Sequence, residues 1–249
     1  MGNFLLILVC LVLGYVVRRA TRSERSRVRP LNLFVLWVSL PAVILTQLPG
    51  VFENEAGFTL EALCLAGMPW LVFALTTLAA MLAGAKFGWS KATIGAIALT
   101  AGFGNTSFVG FPLLEAFYGP EALALGIVVD QAGTFLALST VGLAVASYFS
   151  TRSISFGEGL RRMITFPPLI AVVVASLWGI FELPESEFLN TILRLLGKTL
   201  APLALIAVGW QIEFDPATIR RRRRELMFGL GMKLVVSPTV ICLLANILL

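Results

Sequence analysis

The sequence predicts an all-α, polytopic membrane fold of about eight transmembrane helices, and three observations carry that expectation. Only 13% of the residues are charged and the mean hydropathy is +0.90, whereas soluble domains run nearer 25% charged. Eight apolar stretches approach the roughly 20 residues that a hydrocarbon core of about 30 Å requires. The loops between them alternate in the sign of their charge.

The stretches fall at about 3 to 17, 31 to 49, 62 to 85, 92 to 118, 122 to 149, 164 to 181, 188 to 212 and 226 to 249. The first ends against Arg18, Arg19, Arg22, Arg25, Arg27 and Arg29; the third and fourth are separated by Lys86 and Lys91. Arg152, Arg161 and Arg162 lie between the fifth and sixth, and Arg220 to Arg224 precede the eighth. Sixteen of the nineteen basic residues thus sit in odd-numbered loops. The even-numbered loops hold Glu53, Glu55 and Glu61, then Glu115 and Glu121, then Glu182, Glu185 and Glu187, with no Lys or Arg. Cytoplasmic loops collect Lys and Arg, so the N-terminus is expected outside and the Arg-rich loops in the cytoplasm, in a bacterial inner membrane. A wrong helix count would have scrambled the alternation.

Composition also removes whole classes of chemistry. The chain has no histidine, which excludes Ser-His-Asp and Cys-His catalysis and HExxH metal sites. Cys10, Cys64 and Cys242 lie in apolar runs without the paired spacing of a disulfide framework or a zinc site. With no paired intramembrane carboxylates either, an enzyme is not expected, and neither a cofactor nor a metal is implied. The net charge of +5 does not point to nucleic acid: the Arg220 to Arg224 run reads as a topology determinant beside a membrane helix, with an RNA-binding or anionic-lipid patch as the competing reading. No basic residue precedes the first apolar run, so a cleaved signal peptide is not expected.

The ionisable residues left inside apolar stretches are Asp130, Arg194, Lys198 and Lys233. Such residues are costly in hydrocarbon and usually face a cavity or a partner. Arg194 is close enough to the outer surface to snorkel, and Lys233 is expected to reach the inner one in the same way. Asp130 and Lys198 lie about nine and eleven residues in from Glu121 and Glu187, depths that agree within a turn at about 1.5 Å per residue. They read as an ion pair or a coupling site, against a static pair or a lysine reaching the outer headgroups.

One stretch conflicts with its surroundings. GFGNTSFVGFP, residues 102 to 112, puts three glycines, a proline and an Asn-Thr-Ser triplet in the fourth apolar segment. Asn105 lies about fourteen residues in from Lys91, roughly 21 Å along a helix and near the midplane. Backbone unwound there must line a cavity or be buried in protein, since each unpaired group facing lipid would cost several kcal/mol. A second half-helix starting near Ser107 to Gly110 would carry Pro112 in its first turn, where a missing N–H does no harm. Its N–H groups and positive dipole end would point to the middle of the membrane, the device by which discontinuous transporter helices hold anions. A Pro and Gly kink satisfied by neighbouring helices is the competing reading of the same residues.

The run Asn105-Thr106, Gly110-Phe111-Pro112-Leu113-Leu114 and Ala116-Phe117-Tyr118-Gly119 resembles the fourth-helix motif of the auxin efflux carrier family of permeases, in the bile-acid-symporter-like superfamily. Asn32 with Leu40-Pro41-Ala42, and Ala201-Pro202-Leu203-Ala204-Leu205 followed by Gly209, are also similar to that family. The resemblance implies an inverted-repeat transporter fold with a broken fourth helix, and substrate held where two broken helices cross. It implies residues 1–149 as a first repeat of five helices, segments one and two scaffold and three to five transport. Residues 164–249 would be a partial second repeat, segments six and seven scaffold and eight transport, lacking the last two helices of a 5+5 arrangement. Asn105, Thr106, Ser107, Gly110 and Pro112 would bind the substrate, with Asp130 and Lys198 as coupling residues or an ion pair. The expected function is a secondary transporter moving a small organic anion such as a carboxylate by an elevator-like movement. The alternative is a truncated or degenerate homologue that acts as a membrane partner subunit. A homodimer through the scaffold helices is the assembly that such an arrangement would allow.

Overall fold

The computed structural model describes residues 2–21, 25–49, 60–149, 164–182 and 186–248, with Gly157, Arg161 and Pro184 besides. Arg22, Glu53, Glu55, Arg152, Arg162 and Glu185, part of the loop-charge pattern, lie outside the described residues. Among those described there is no strand. We number the helices α1 (Gly2–Thr21), α2 (Arg29–Gln47), α3 (Leu60–Phe87), α4 (Lys91–Gly102), α5 (Phe111–Tyr118), α6 (Ala122–Phe149), α7 (Pro167–Ile180), α8 (Glu187–Gly197), α9 (Leu200–Gln211), α10 (Pro216–Arg221) and α11 (Arg223–Asn246).

Six stretches among the described residues are helical, long and apolar enough to cross a membrane: Arg29–Gln47, Ala62–Phe87, Lys91–Tyr118, Ala122–Phe149, Glu187–Gln211 and Arg223–Asn246. Pro167–Ile180 is apolar but shorter, at 14 residues. Leu78, Leu82, Val173, Leu234 and Leu243 are all exposed, which in a membrane protein is the face turned to lipid.

The helices group into two compact units. One comprises residues 1–57, 105–127 and 164–213, hence α1, α2, α5, the first turns of α6, and α7 to α9. Its tightest packing is between α1 and α9. A Cβ placed on Gly14 would collide with the Ile206 carbonyl oxygen and lie 2.8 Å from the Trp210 nitrogen, and one on Gly209 would collide with the Leu11 carbonyl oxygen. Lipid gives apolar helices no hydrophobic reason to associate, so close backbone approach over small residues takes that role. Ile7, Cys10 and Leu205 are buried beside this crossing. At its end Arg18 donates to the carbonyls of Trp210 and Ile212 at 3.3 and 3.0 Å and lies 3.7 Å from the Glu213 carboxylate. A cation there satisfies the last carbonyls of α9 and opposes its dipole.

Prolines explain the irregular winding of this unit. Pro41 cannot donate to the preceding turn, and Val35–Ser39 before it is wound as a wider π-helical turn. Pro202 likewise cannot bond back to Lys198, and the chain turns at Lys198 and Thr199 between α8 and α9. The two interruptions meet: the buried Ser39 hydroxyl and that of Thr199 are hydrogen-bonded at 2.7 Å. This break between α8 and α9 was not expected from the sequence, where 188 to 212 reads as one run.

The other unit comprises residues 58–104, 128–163 and 214–249, hence α3, α4, most of α6, α10 and α11. Small residues again set the approach. A Cβ on Gly133 of α6 would lie 2.8 Å from the Ala66 carbonyl oxygen and 2.9 Å from Pro69, and one on Gly95 of α4 would lie 2.5 Å from Phe149. Phe73, Phe103 and Ala137 form one buried cluster; Ala80, Ile97, Ala101 and Met232 form another. Asp215 caps α10 by accepting the Ala217 N–H at 3.1 Å, with Pro216 in the first turn. The Thr218 hydroxyl bonded to the same carboxylate holds it below its ordinary pKa.

Candidate functional site

The fourth segment is interrupted where the glycines fall. Helix α4 opens on Ser90, whose hydroxyl accepts the Thr93 N–H at 3.2 Å, and it ends at Gly102 because Phe103 turns extended, with φ −110° and ψ 137°. Two contacts fix that end. Phe103 stacks on Phe73 with ring centroids 4.2 Å apart, and a Cβ on Gly102 would come within 2.9 Å of the same ring. Only glycine lets α3 approach the last turn so closely.

Beyond the break, Asn105 starts the second half. Its backbone is not helical (φ −94°, ψ 78°), and its side-chain Oδ1 accepts the Phe108 N–H at 3.0 Å, an N-cap. Its carbonyl accepts the Gly110 N–H at 3.0 Å, so Thr106–Gly110 winds as a wide π-helical turn before α5. Such turns recur at functional sites. Pro112 lies in the first turn of α5 and is buried. Gly119, at φ +87°, ends α5 in a conformation that a side chain would strain.

The expected site residues are placed as follows. Asn105 is exposed, Thr106, Ser107 and Gly110 are half-buried, and all belong with Pro112 to the unit that contains α5. With Oδ1 committed to the cap, the Nδ2 amide of Asn105 remains free to donate, for it bonds none of the described residues. A Cβ on Gly110 would meet nothing closer than the Asn105 carbonyl at 3.6 Å. Lys198, at the α8–α9 turn, lines a cavity of about 230 Å³ together with Pro112, Glu115 and Pro202. The structure therefore brings two expected site residues, Pro112 and Lys198, to one cavity and adds Glu115. Asp130 belongs to the other unit. It is 3% exposed in the π-wound stretch Val129–Phe135, and Gln131 Nε2 donates to its carboxylate at 2.7 Å.

Sequence reasoning mistook Lys233. It does not reach towards the inner surface: its Nζ donates to the carbonyls of Thr100 and Phe103 at 2.8 and 3.0 Å. The carbonyls left unpaired where α4 stops, with the negative end of its dipole, hold the ammonium there. A signal was available, since Thr100 is about nine residues in from Lys91 and Lys233 about nine in from Arg224, the same depth on both helices. Among the described residues no group of His, Cys, Asp or Glu could hold a metal ion.

Comparison with known proteins finds the chain similar to membrane transporters. The family model described as "Membrane transport protein" matches residues 1–249. An uncharacterized transporter of Methanothermobacter thermautotrophicus is 25% identical over 93% of this chain and 74% of its own length. An uncharacterized transporter of Methanocaldococcus jannaschii is 25% identical over 95% of this chain and 74% of its own. A protein of Rhizobium meliloti named "Putative malonate transporter" is 25% identical over 93% of this chain and 72% of its own.

Proposed function

The chain belongs to the membrane transport protein family, that of the auxin efflux carriers, and from this premise we propose that it is a secondary transporter for a small organic anion such as a carboxylate. The observation that carries the proposal is the start of the half-helix at Asn105. There the chain leaves its helix, resumes it under an Asn cap, and keeps the Asn105 amide as a donor, about fourteen residues in from Lys91, the length of helix that would reach the midplane. A helix start of this kind presents N–H groups and a positive dipole end to an anion without loss of side-chain entropy. Thr106 and Ser107 extend the polar surface, and Gly110 leaves space beside the backbone. The dicarboxylate in the name of the Rhizobium meliloti relative is of the same chemical class.

The protein is an integral membrane protein whose relatives are transporters, and transport without covalent chemistry is the reading we adopt. No Walker A loop occurs in the sequence, so the driving force is a gradient or the membrane potential. An elevator-like movement, with segments one, two, six and seven as scaffold and segments three to five and eight carrying the substrate, is the reading we adopt from the family. The compact units follow it for α1, α2 and α7 to α9 on one side and α3, α4, most of α6 and α11 on the other, whereas α5 groups with the scaffold helices. The N-terminus lies outside and the Arg-rich loops in the cytoplasm, on the strength of the loop charges.

Uptake of radiolabelled malonate, and of a panel of monocarboxylates and dicarboxylates, into proteoliposomes containing the purified protein tests the proposal. Saturable uptake of one of them above empty liposomes is expected. Uptake of none would contradict it and favour the second function expected from the sequence, a membrane partner subunit.

A further inference from the structure

Within the unit that holds α4 and α11 lies a cavity of about 600 Å³ between those two helices. Its wall on α4 carries Thr93, Ala96 and Thr100; the opposite wall begins at Arg222, the residue before α11, and runs through Gly229 to Lys233. The cavity therefore extends from the Arg-rich loop, beside the helix-start residues Ser90 and Thr93, to the carbonyl end of α4. Arg222 stands at the N-cap position of α11 and Lys233 lies about eleven residues on, roughly 16 Å along the helix.

Three features decide what such a cavity holds. At the mouth Arg222 is paired at 3.3 Å with Glu225, the one acid on the wall among the described residues, and the inner end is the Lys233 ammonium, so Lys233 and the exposed arginines beside Arg222 set the sign of the field. The inner end is an ammonium on two backbone carbonyls, where an acyl chain would gain nothing. An ammonium has three N–H donors. Lys233 gives two to Thr100 and Phe103 and lines the cavity, so its third is left for an occupant.

We propose that the cavity between α4 and α11 is a water-filled cytoplasmic vestibule for small carboxylate anions, with Arg222 at its mouth and Lys233 as an anion subsite at its inner end. The identity of the anion rests on the transport reading above; the selection by charge does not. Converging positive groups in a cleft with low-dielectric walls raise the local concentration of anions and delay cations.

Accessibility of a cysteine on the wall tests this. In the full chain with Ala96→Cys, in membrane vesicles exposing the cytoplasmic side, modification is followed by peptide mass mapping, which separates the new site from Cys10, Cys64 and Cys242. The anionic reagent sulfonatoethyl methanethiosulfonate should react about tenfold faster than its trimethylammonium counterpart, after correction for their rates with a free thiol. Malonate should slow the anionic reagent, and Lys233→Met should bring the two rates together. Where Lys233→Met does not fold, the rate ratio and malonate protection in the Ala96→Cys chain decide. No modification by either reagent would show a lipid-filled groove and overturn the vestibule, and equal rates would overturn it as well. A retained charge preference in protein that takes up no carboxylate would support the vestibule and count against the transport reading instead.

Discussion

The Lys233 ammonium lies 3.0 Å from the carbonyl oxygen of Phe103, the first residue beyond the end of α4, and 2.8 Å from that of Thr100 in its last turn. A cation thus closes the carbonyl end of the broken helix, a place where unwound transporter helices otherwise bind a coupling ion. Replacing Lys233 with Met keeps the bulk and removes both bonds. We expect Lys233→Met to destabilise the protein by roughly 1 to 3 kcal/mol, the cost of unmatched buried polar groups, and Lys233→Arg to lose less. Unfolding of the purified protein in detergent measures it; an unchanged midpoint for Lys233→Met would refute the capping role.

Glycine positions separate packing from binding. Gly209→Ala would drive a methyl into the Leu11 carbonyl, while Gly110→Ala meets nothing closer than 3.6 Å. The first should cost about 1 to 3 kcal/mol of stability, in line with overpacked interiors, and the second should leave stability close to wild type. Melting curves of the two variants check the contrast, and equal losses would contradict the α1–α9 crossing. If Gly110→Ala weakens anion binding, the added methyl acts on the ligand rather than on the fold.

What could be read from the sequence follows from the range of the forces. Hydropathy is local, so the apolar segments and the interruption at residues 102 to 112 were legible, as was Pro112 in the first turn of the second half. The cap at Asn105 was within reach too, because Asn before a helix start is a local signal. Lys233 was misjudged because its partners are carbonyls on another helix, which the matched depth of Thr100 could suggest and the sequence could not identify. The same holds for Ser39 and Thr199, joined across 160 residues, and for Gly14 and Gly209, whose value lies in the backbones they let meet.

Orientation in the membrane rests on the basic residues of the odd-numbered loops. A cysteine at Ser186 should react with an impermeant reagent added to whole cells, and one at Ile219, beside Arg220 to Arg224, should react only after lysis. Both side chains are exposed. The reverse pattern would invert the orientation, and with it the side on which the proposed vestibule opens.

Pairing of Asp130 with Lys198 is tested by a double-mutant cycle. If the two charges interact, Asp130→Asn alone should cost more than Asp130→Asn combined with Lys198→Met, because the single change strands the lysine. The difference is read from unfolding midpoints. Additive losses would make the residues independent, leaving Asp130 with Gln131 and Lys198 in the cavity it shares with Glu115.

Asn105 carries the central claim, and its cap geometry supplies the sharpest test. Aspartate caps a helix start as well as asparagine does, so Asn105→Asp keeps the bond to the Phe108 N–H while replacing the donor amide with a negative charge. Binding of the transported carboxylate to the purified protein by titration calorimetry, beside a melting curve of the same sample, is the measurement. The account predicts an unchanged or higher melting midpoint with carboxylate affinity lowered by roughly 1 to 3 kcal/mol, about fivefold to over a hundredfold. Equal affinity in a folded Asn105→Asp protein would contradict it, and the break at residues 103 to 105 would then be a kink with the anion bound elsewhere.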